Sequence, residues 1–162
     1  MAVVPQEDDM IRLSEVLRAE HIVSPSIASC REEVYREAMA VGEASGSLPP
    51  GSKDLLVAAL LSRDAVISTA IGGGVALPHT PVEGLEGALV FLIRTERPVI
   101  DCDPLDGRPV NLFWVVLTPE QDPGLHLKLL ASIARVLNNP VKRDALDQAE
   151  GPSAVLEVLA SD

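Results

Sequence analysis

Two long apolar runs constrain this chain more than any other feature: residues 88–93, and residues 110–117, where Asn111 is the only break. A strand wet on one face alternates apolar and polar side chains. Runs without alternation suit strands covered on both faces. The cover must come from helices, and the sequence supplies them. Val34, Tyr35, Ala38, Met39 and Val41 recur at helical spacing. So do Leu55, Leu56, Ala59 and Leu60, with Arg63 at the far end of that stripe. A third stripe is Leu125, Leu129, Leu130, Ile133, Val136 and Leu137. Helices on a buried sheet predict an α/β sandwich. At 162 residues the chain fits a single domain. Residues 1–10 are polar and acidic and read as a flexible tail, leaving 11–162 as the folded unit.

Local signals place the element ends. Ser29-Cys30-Arg31-Glu32 fits a capping box, in which the Ser oxygen and the Glu carboxylate satisfy free backbone donors. Residues 42–51 hold Gly, Ser and two adjacent prolines and read as a loop, after which Ser52 can cap the second helix. Residues 65–71 read as a strand, Gly72-Gly73-Gly74 as a turn and 75–77 as another strand. Asp106-Gly107 is a turn signal ahead of the second apolar run. Asp122-Pro123 opens the long helix, with Asp as N-cap and Pro at its first position. Pro140 interrupts it, and short helices follow around 141–148 and 153–159. Residues 11–17 carry brief helical periodicity, and 21–23 suit an edge strand.

Composition excludes several functions. Aromatic residues make up only 2% of the chain, too few for the stacking platforms of single-stranded nucleic-acid binding. The formal charge of −11 repels phosphate backbones and anionic lipid, so neither nucleic acid nor membrane is an expected partner. The same charge favours a partner with a basic patch. Cys30 and Cys102 match no zinc or redox spacing and read as free thiols of a reducing compartment. No stretch approaches a membrane span, and no basic segment followed by an apolar run opens the chain. A cytoplasmic protein is the expectation.

Candidate chemistry centres on histidine. His79 lies between Pro78 and the Thr80-Pro81 pair, a stiff stretch following a predicted strand. It is either a turn histidine bonded to backbone or a presented functional group. His126 falls in the first turns of the long helix, on the face of Leu129, Leu130 and Ile133. There partial burial and the helix N-terminus both depress its pKa. It is either a satisfied core histidine or a donor beside an anion site. His21 has no supporting pattern and reads as a surface or edge residue. Arg63, next to Asp64, either snorkels and pairs with a carboxylate or stands as a fixed cation whose planar fork suits phosphate.

Other chemistries lack their motifs. No Lys-Ser/Thr follows the triple glycine, so it is not a P-loop, and it makes no dinucleotide fingerprint. Without a nucleotide site the chain is not expected to charge itself from ATP. G-x-S-x-G and H-E-x-x-H are both absent. Asp101-Cys102-Asp103 and the histidines offer no standard metal spacing. No cofactor or metal is therefore expected, and a hydrolase built on a metal held by His79 and His126 is the weakest reading.

The segment Leu60-Leu61-Ser62-Arg63-Asp64, followed by Ile67-Ser68-Thr69-Ala70-Ile71-Gly72-Gly73-Gly74-Val75-Ala76-Leu77-Pro78-His79-Thr80, resembles the signature of a known family. It is similar to the fructose/mannitol-type EIIA domain of the phosphoenolpyruvate-dependent phosphotransferase system, a group that includes stand-alone nitrogen-related EIIA proteins. The resemblance continues through residues 106–112, the strand ending Leu117-Thr118-Pro119, and His126-Leu127-Lys128-Leu129-Leu130-Ala131. It runs from about Ile11 onward. The chain departs from the family at Ile67 and Ala70, where members usually have Gly, and at Gly73, where they have Asn.

The resemblance implies a mixed sheet flanked by helices. It also implies that His79 is the phosphorylated residue, that His126 beside it hydrogen-bonds the phosphoryl group, and that Arg63 is the nearby cation. Its donor would be phosphohistidine on the small carrier HPr or a nitrogen-branch counterpart. The expected function is a histidine phosphocarrier, regulatory in role since no EIIB or membrane EIIC segment is attached. The alternatives are a sugar-specific EIIA feeding a separate EIIB, and a binding module whose partners sense the state of His79.

Overall fold

The computed structural model describes residues 11–66, 68–104 and 106–161; the expected tail at 1–10 lies outside them. The two apolar runs are the long central strands, β5 (Leu89–Val99) and β6 (Val110–Pro119), paired antiparallel with Leu92 opposite Trp114. Their apolar stretches are covered on both faces, as the missing alternation requires, while Glu96, Arg97 and Pro98 near the end of β5 are exposed. Phe91, Ile93, Phe113, Val115 and Leu117 point into one core, and Val90, Leu92, Trp114 and Val116 into the other. The first core is closed by α2 (Arg31–Ala44) and α3 (Lys53–Val66). The second is closed by α1 (Leu13–Val16), α4 (Pro123–Leu137), α5 (Pro140–Gln148) and α6 (Pro152–Ala160).

The sheet is mixed. β1 (Ile22–Ser26) forms one edge, parallel to β5, and β3 (Val75–Ala76) runs parallel to β6. β2 (Ala70–Gly72) is the far edge, antiparallel to β3. β4 (His79–Val82) continues from β3 along the same side of β6. Leu77-Pro78 separates β3 from β4, because Pro78 has no N–H for the ladder.

The helix ends use partners that local spacing does not reveal. Cys30 is the N-cap of α2 but makes no side-chain cap. Asp101, 70 residues on, accepts from the Arg31 N–H at 3.0 Å, while Glu33 rather than Glu32 reaches back to the Ser29 N–H at 2.7 Å. At α3 the Ser52 hydroxyl turns to the Pro49 carbonyl, and Glu43 accepts from the Lys53 N–H at 2.8 Å. The expected caps at Ser29 and Ser52 are thus replaced by carboxylates from neighbouring elements. The Asp122 cap of α4 forms as expected, its carboxylate accepting from the Leu125 N–H at 3.1 Å.

The stripe of α3 is rotated from the expected one. Leu56, Val57, Leu60 and Asp64 are buried, whereas Leu55 is 75% exposed. Helix α3 also runs to Val66 and consumes the start of the expected strand at 65–71, leaving only Ala70–Gly72 extended. The glycine turn that follows has φ of +64° at Gly73, where the guanidinium of Arg143 occupies the place of a side chain: a Cβ would lie 2.1 Å from its nitrogen. Having no side chain, Gly73 admits Arg143 from α5.

Candidate functional site

The candidate site lies where β4, β6 and the first turns of α4 meet. His79 opens β4 and is paired in register with Val116 of β6. Partners across a ladder share a face, so His79 stands on the α4 side with Val116. Side chains alternate along a strand, which puts Thr118 on that face too. Helix α4 brings His126 down onto it. The sequence reading left His79 in a stiff, turn-like stretch after a strand; the structure places it at the start of β4 itself.

The two imidazoles are neighbours, with ring centroids 5.1 Å apart and planes inclined at 50°. Both are half-buried. Nδ1 of His79 lies 2.7 Å from the carbonyl oxygen of Leu77. A carbonyl only accepts, so Nδ1 carries the proton and Nε2 keeps its lone pair. The Leu77 carbonyl is itself held in place, because its residue's N–H donates to the Thr69 carbonyl at 2.8 Å. His126 Nδ1 lies 2.9 Å from the hydroxyl oxygen of Thr118, which is fully buried. Burial first, then the repulsion that a protonated ring would meet from a second imidazolium at His79 and from the Arg63 guanidinium, holds the His126 imidazole below the ordinary histidine value. The direction is the expected one; the neighbouring His79 and Arg63 act where the sequence suggested the helix terminus.

Arg63 is placed differently from the expectation. It is exposed, and Asp64 takes the buried position at the end of the α3 stripe. Arg63 makes no ion pair among the described residues, yet it stands close enough for its charge to act on His126. Asp64 accepts from the Tyr35 hydroxyl, from Thr69 at 2.7 Å and from Arg31 at 3.4 Å. Burial, with Asp64 alongside, raises the Tyr35 phenol pKa. This network fixes the last turn of α3, from which Arg63 projects.

Two histidines are thus brought together with the Arg63 cation close by, and the third is elsewhere. His21 is fully buried, not a surface or edge residue. Its Nε2 meets Ser47 at 2.9 Å and Ser45 at 3.1 Å, and its ring lies 4.4 Å from Phe91. Sequence reasoning missed Thr118 as a contact of His126. The available signal was a hydroxyl on the α4-facing side of an otherwise apolar strand. Among the described residues no group of three or more His, Cys, Asp or Glu could hold a metal ion. Asp101 of the 101–103 segment is engaged with Arg31 instead. A cavity of about 370 Å³ is lined by Arg31, Asp64, Thr69, Asp101 and Cys102, and neither histidine lines it. In that surrounding, burial pushes the Cys102 thiol up to about 12. No helix among the described residues is long and apolar enough to cross a membrane.

Comparison with known proteins meets this geometry. The model of the phosphoenolpyruvate-dependent sugar phosphotransferase system EIIA 2 family matches residues 15–162. A nitrogen regulatory protein of Pseudomonas aeruginosa is 34% identical over 112 residues, covering 69% of this chain and 72% of that protein. One from Bradyrhizobium diazoefficiens is 40% identical over 101 residues, covering 62% of this chain and 65% of its relative. The crystal structure of the nitrogen regulatory protein IIA-Ntr from Neisseria meningitidis superimposes with a TM-score of 0.81 at 30% identity, covering 91% of this chain and 99% of that one. With the mixed sheet and the layered helices in agreement, the chain belongs to the EIIA 2 family of the phosphoenolpyruvate-dependent sugar phosphotransferase system.

Proposed function

We propose that this chain is a histidine phosphocarrier in which Nε2 of His79 accepts a phosphoryl group from a phosphohistidine donor. The observation that carries the proposal is the 2.7 Å contact of His79 Nδ1 with the Leu77 carbonyl, which directs the ring's lone pair to Nε2. That lone pair attacks phosphorus. The new N–P bond forms as the donor's N–P bond breaks, and the donor's ring nitrogen leaves with its electron pair. The Nδ1 proton stays on its hydrogen bond to Leu77. Transfer of this kind needs alignment and charge stabilisation more than covalent chemistry. His126, one ring away, donates to a phosphoryl oxygen, and Arg63 adds a cation that pairs with no carboxylate among the described residues.

The donor is a protein. Neither histidine lines the cavity beside Arg31, and the sequence carries no P-loop or dinucleotide motif from which a nucleotide could charge His79. HPr or a nitrogen-branch counterpart has the required phosphohistidine. A chain of net charge −11 favours a donor with a basic docking patch. The onward role is regulatory, a reading supported by relatives that are named nitrogen regulatory proteins. Transfer to a separate EIIB chain is the alternative fate of the same phosphoryl group.

The test is reconstitution with phosphoenolpyruvate, Enzyme I and HPr or its counterpart. One acid-labile, base-stable phosphoryl group per chain is expected on the wild type and none on His79→Ala. An unlabelled wild type, or a fully labelled His79→Ala, would overturn the proposal. Replacing His126 by Ala should slow labelling by roughly a hundredfold without abolishing it, as loss of one stabilising donor does.

A further inference from the structure

We infer that Thr118 is a positioning residue for the transfer: its hydroxyl donates to Nδ1 of His126 and so keeps that ring's single proton on Nε2, the nitrogen left to meet a phosphoryl group. The inference rests on the phosphocarrier reading above and adds to it the device that sets the second histidine.

The argument is an accounting of protons. Thr118 is fully buried, and among the described residues its hydroxyl contacts one partner, Nδ1 of His126, at 2.9 Å. His126 favours its neutral form, with its pKa lowered by burial and by the neighbouring His79 and Arg63, so its ring carries one N–H. Two arrangements remain. If Nδ1 held the proton, it would donate to the Thr118 oxygen. The hydroxyl proton would then be buried without an acceptor, which is costly. Nε2 would also present a lone pair to an anionic phosphoryl oxygen. If the hydroxyl donates instead, every buried proton has a partner and Nε2–H is the free donor. The second arrangement satisfies both conditions at once.

The pair then holds opposite tautomers. A carbonyl, which only accepts, protonates His79 on Nδ1 and bares its Nε2. A hydroxyl, which here donates, protonates His126 on Nε2 and occupies its Nδ1. One ring offers a nucleophile and the other, 5.1 Å away, an electrophilic N–H. Both setting groups are rigid. Thr118 belongs to β6 and sits in register opposite Pro81 of β4, and its β-branched side chain has few rotamers. Its neighbours on the same face of β6, Leu112, Trp114 and Val116, are apolar core residues, so packing alone does not call for a hydroxyl at this point.

The tautomers are read directly from long-range proton–nitrogen correlations of the nitrogen-15-labelled protein at alkaline pH. The wild type should show His79 protonated on Nδ1 and His126 on Nε2. Thr118→Val, which removes the hydroxyl and keeps the shape, should give mixed tautomers at His126 and leave His79 unchanged. Its phosphorylation rate should fall roughly five- to tenfold, the worth of one neutral hydrogen bond in the transition state. Thr118→Ser should restore both readouts. A wild-type His126 protonated on Nδ1 would overturn the inference, and so would a Thr118→Val that shifts neither tautomer nor rate. If Thr118→Val does not fold, the wild-type spectrum and Thr118→Ser decide. A wild type that takes no label sinks the phosphocarrier reading, whereas the His126 tautomer still passes or fails Thr118 by itself.

Discussion

At the scale of single residues, the site is a matter of which atom carries a proton and which carboxylate is already engaged. Asp64 shows the second point. It is almost fully buried and takes three donors, from Tyr35, Thr69 and Arg31. Asp64→Asn removes the charge that balances Arg31 and leaves too few acceptor sites for the donors. We expect a loss of about 2–4 kcal/mol, read as a lowered urea midpoint at unchanged m-value. Tyr35→Phe should cost about 1 kcal/mol, since it removes one hydrogen bond and not a charge partner. Flanking prolines and helical spacing singled out His79 and His126 as candidates, but they left a structural reading open for each; the family resemblance, not local physics, chose between the readings. Burial of His21 was not legible. It depends on Ser45 and Ser47, more than 20 residues away, and on the ring of Phe91 in another element. The Thr118 contact was hidden for a related reason: strand alternation gives its face, but only the docking of α4 gives its partner.

At the scale of elements, α4 aims His126. Its first turn depends on the Asp122 cap and on Pro123 at the first helical position. Asp122→Ala should destabilise the protein by about 1 kcal/mol. It should speed amide exchange in the first turn of α4 before that in β6, and slow phosphorylation of His79. Asp122→Asn, which still accepts from the Leu125 N–H, should restore most of both. This helix, β5 and β6 were legible in outline, because long apolar patterns and an Asp-Pro start speak for themselves. The failures cluster between residues 52 and 72. There a helix rich in Leu and Ala offered two overlapping stripes, and the buried one includes a charged residue. Hydrophobicity alone selected the face with Leu55; the Asp64 network selects the face with Val57 and leaves Arg63 at the surface. The same overrun of α3 shortened the expected strand to the three residues of β2. The caps of α2 and α3 were misread because their carboxylates come from Asp101 and Glu43, and local spacing cannot report a partner in another element.

At the scale of the whole molecule, two histidines tie stability to pH. The imidazoles of His21 and His126 are both lowered from 6.5, the first by burial and then Arg18, the second by burial and then His79 and Arg63. The fold therefore favours their neutral forms, while the unfolded chain takes up protons as pH drops below 6.5. Stability should be full above that value and fall as pH descends toward the lowered pKa values. The lowered carboxyls of Glu33 and Asp106 add their own loss only further down, below their ordinary values of 4.5 and 3.8. Urea titrations between pH 7.5 and roughly 5 check the sign, and His21→Gln should flatten the slope in that window. The layered α/β fold itself was legible from the two apolar runs; the strand order was not, because non-local pairing leaves no periodicity in a single chain. The account stands on one atom, and nitrogen–phosphorus coupling in the nitrogen-15-labelled, enzymatically phosphorylated protein tests it most directly. It predicts a single coupled nitrogen, Nε2 of His79, with Nδ1 still protonated against Leu77. Phosphorus coupled to Nδ1 of His79, or to either nitrogen of His126, would contradict it.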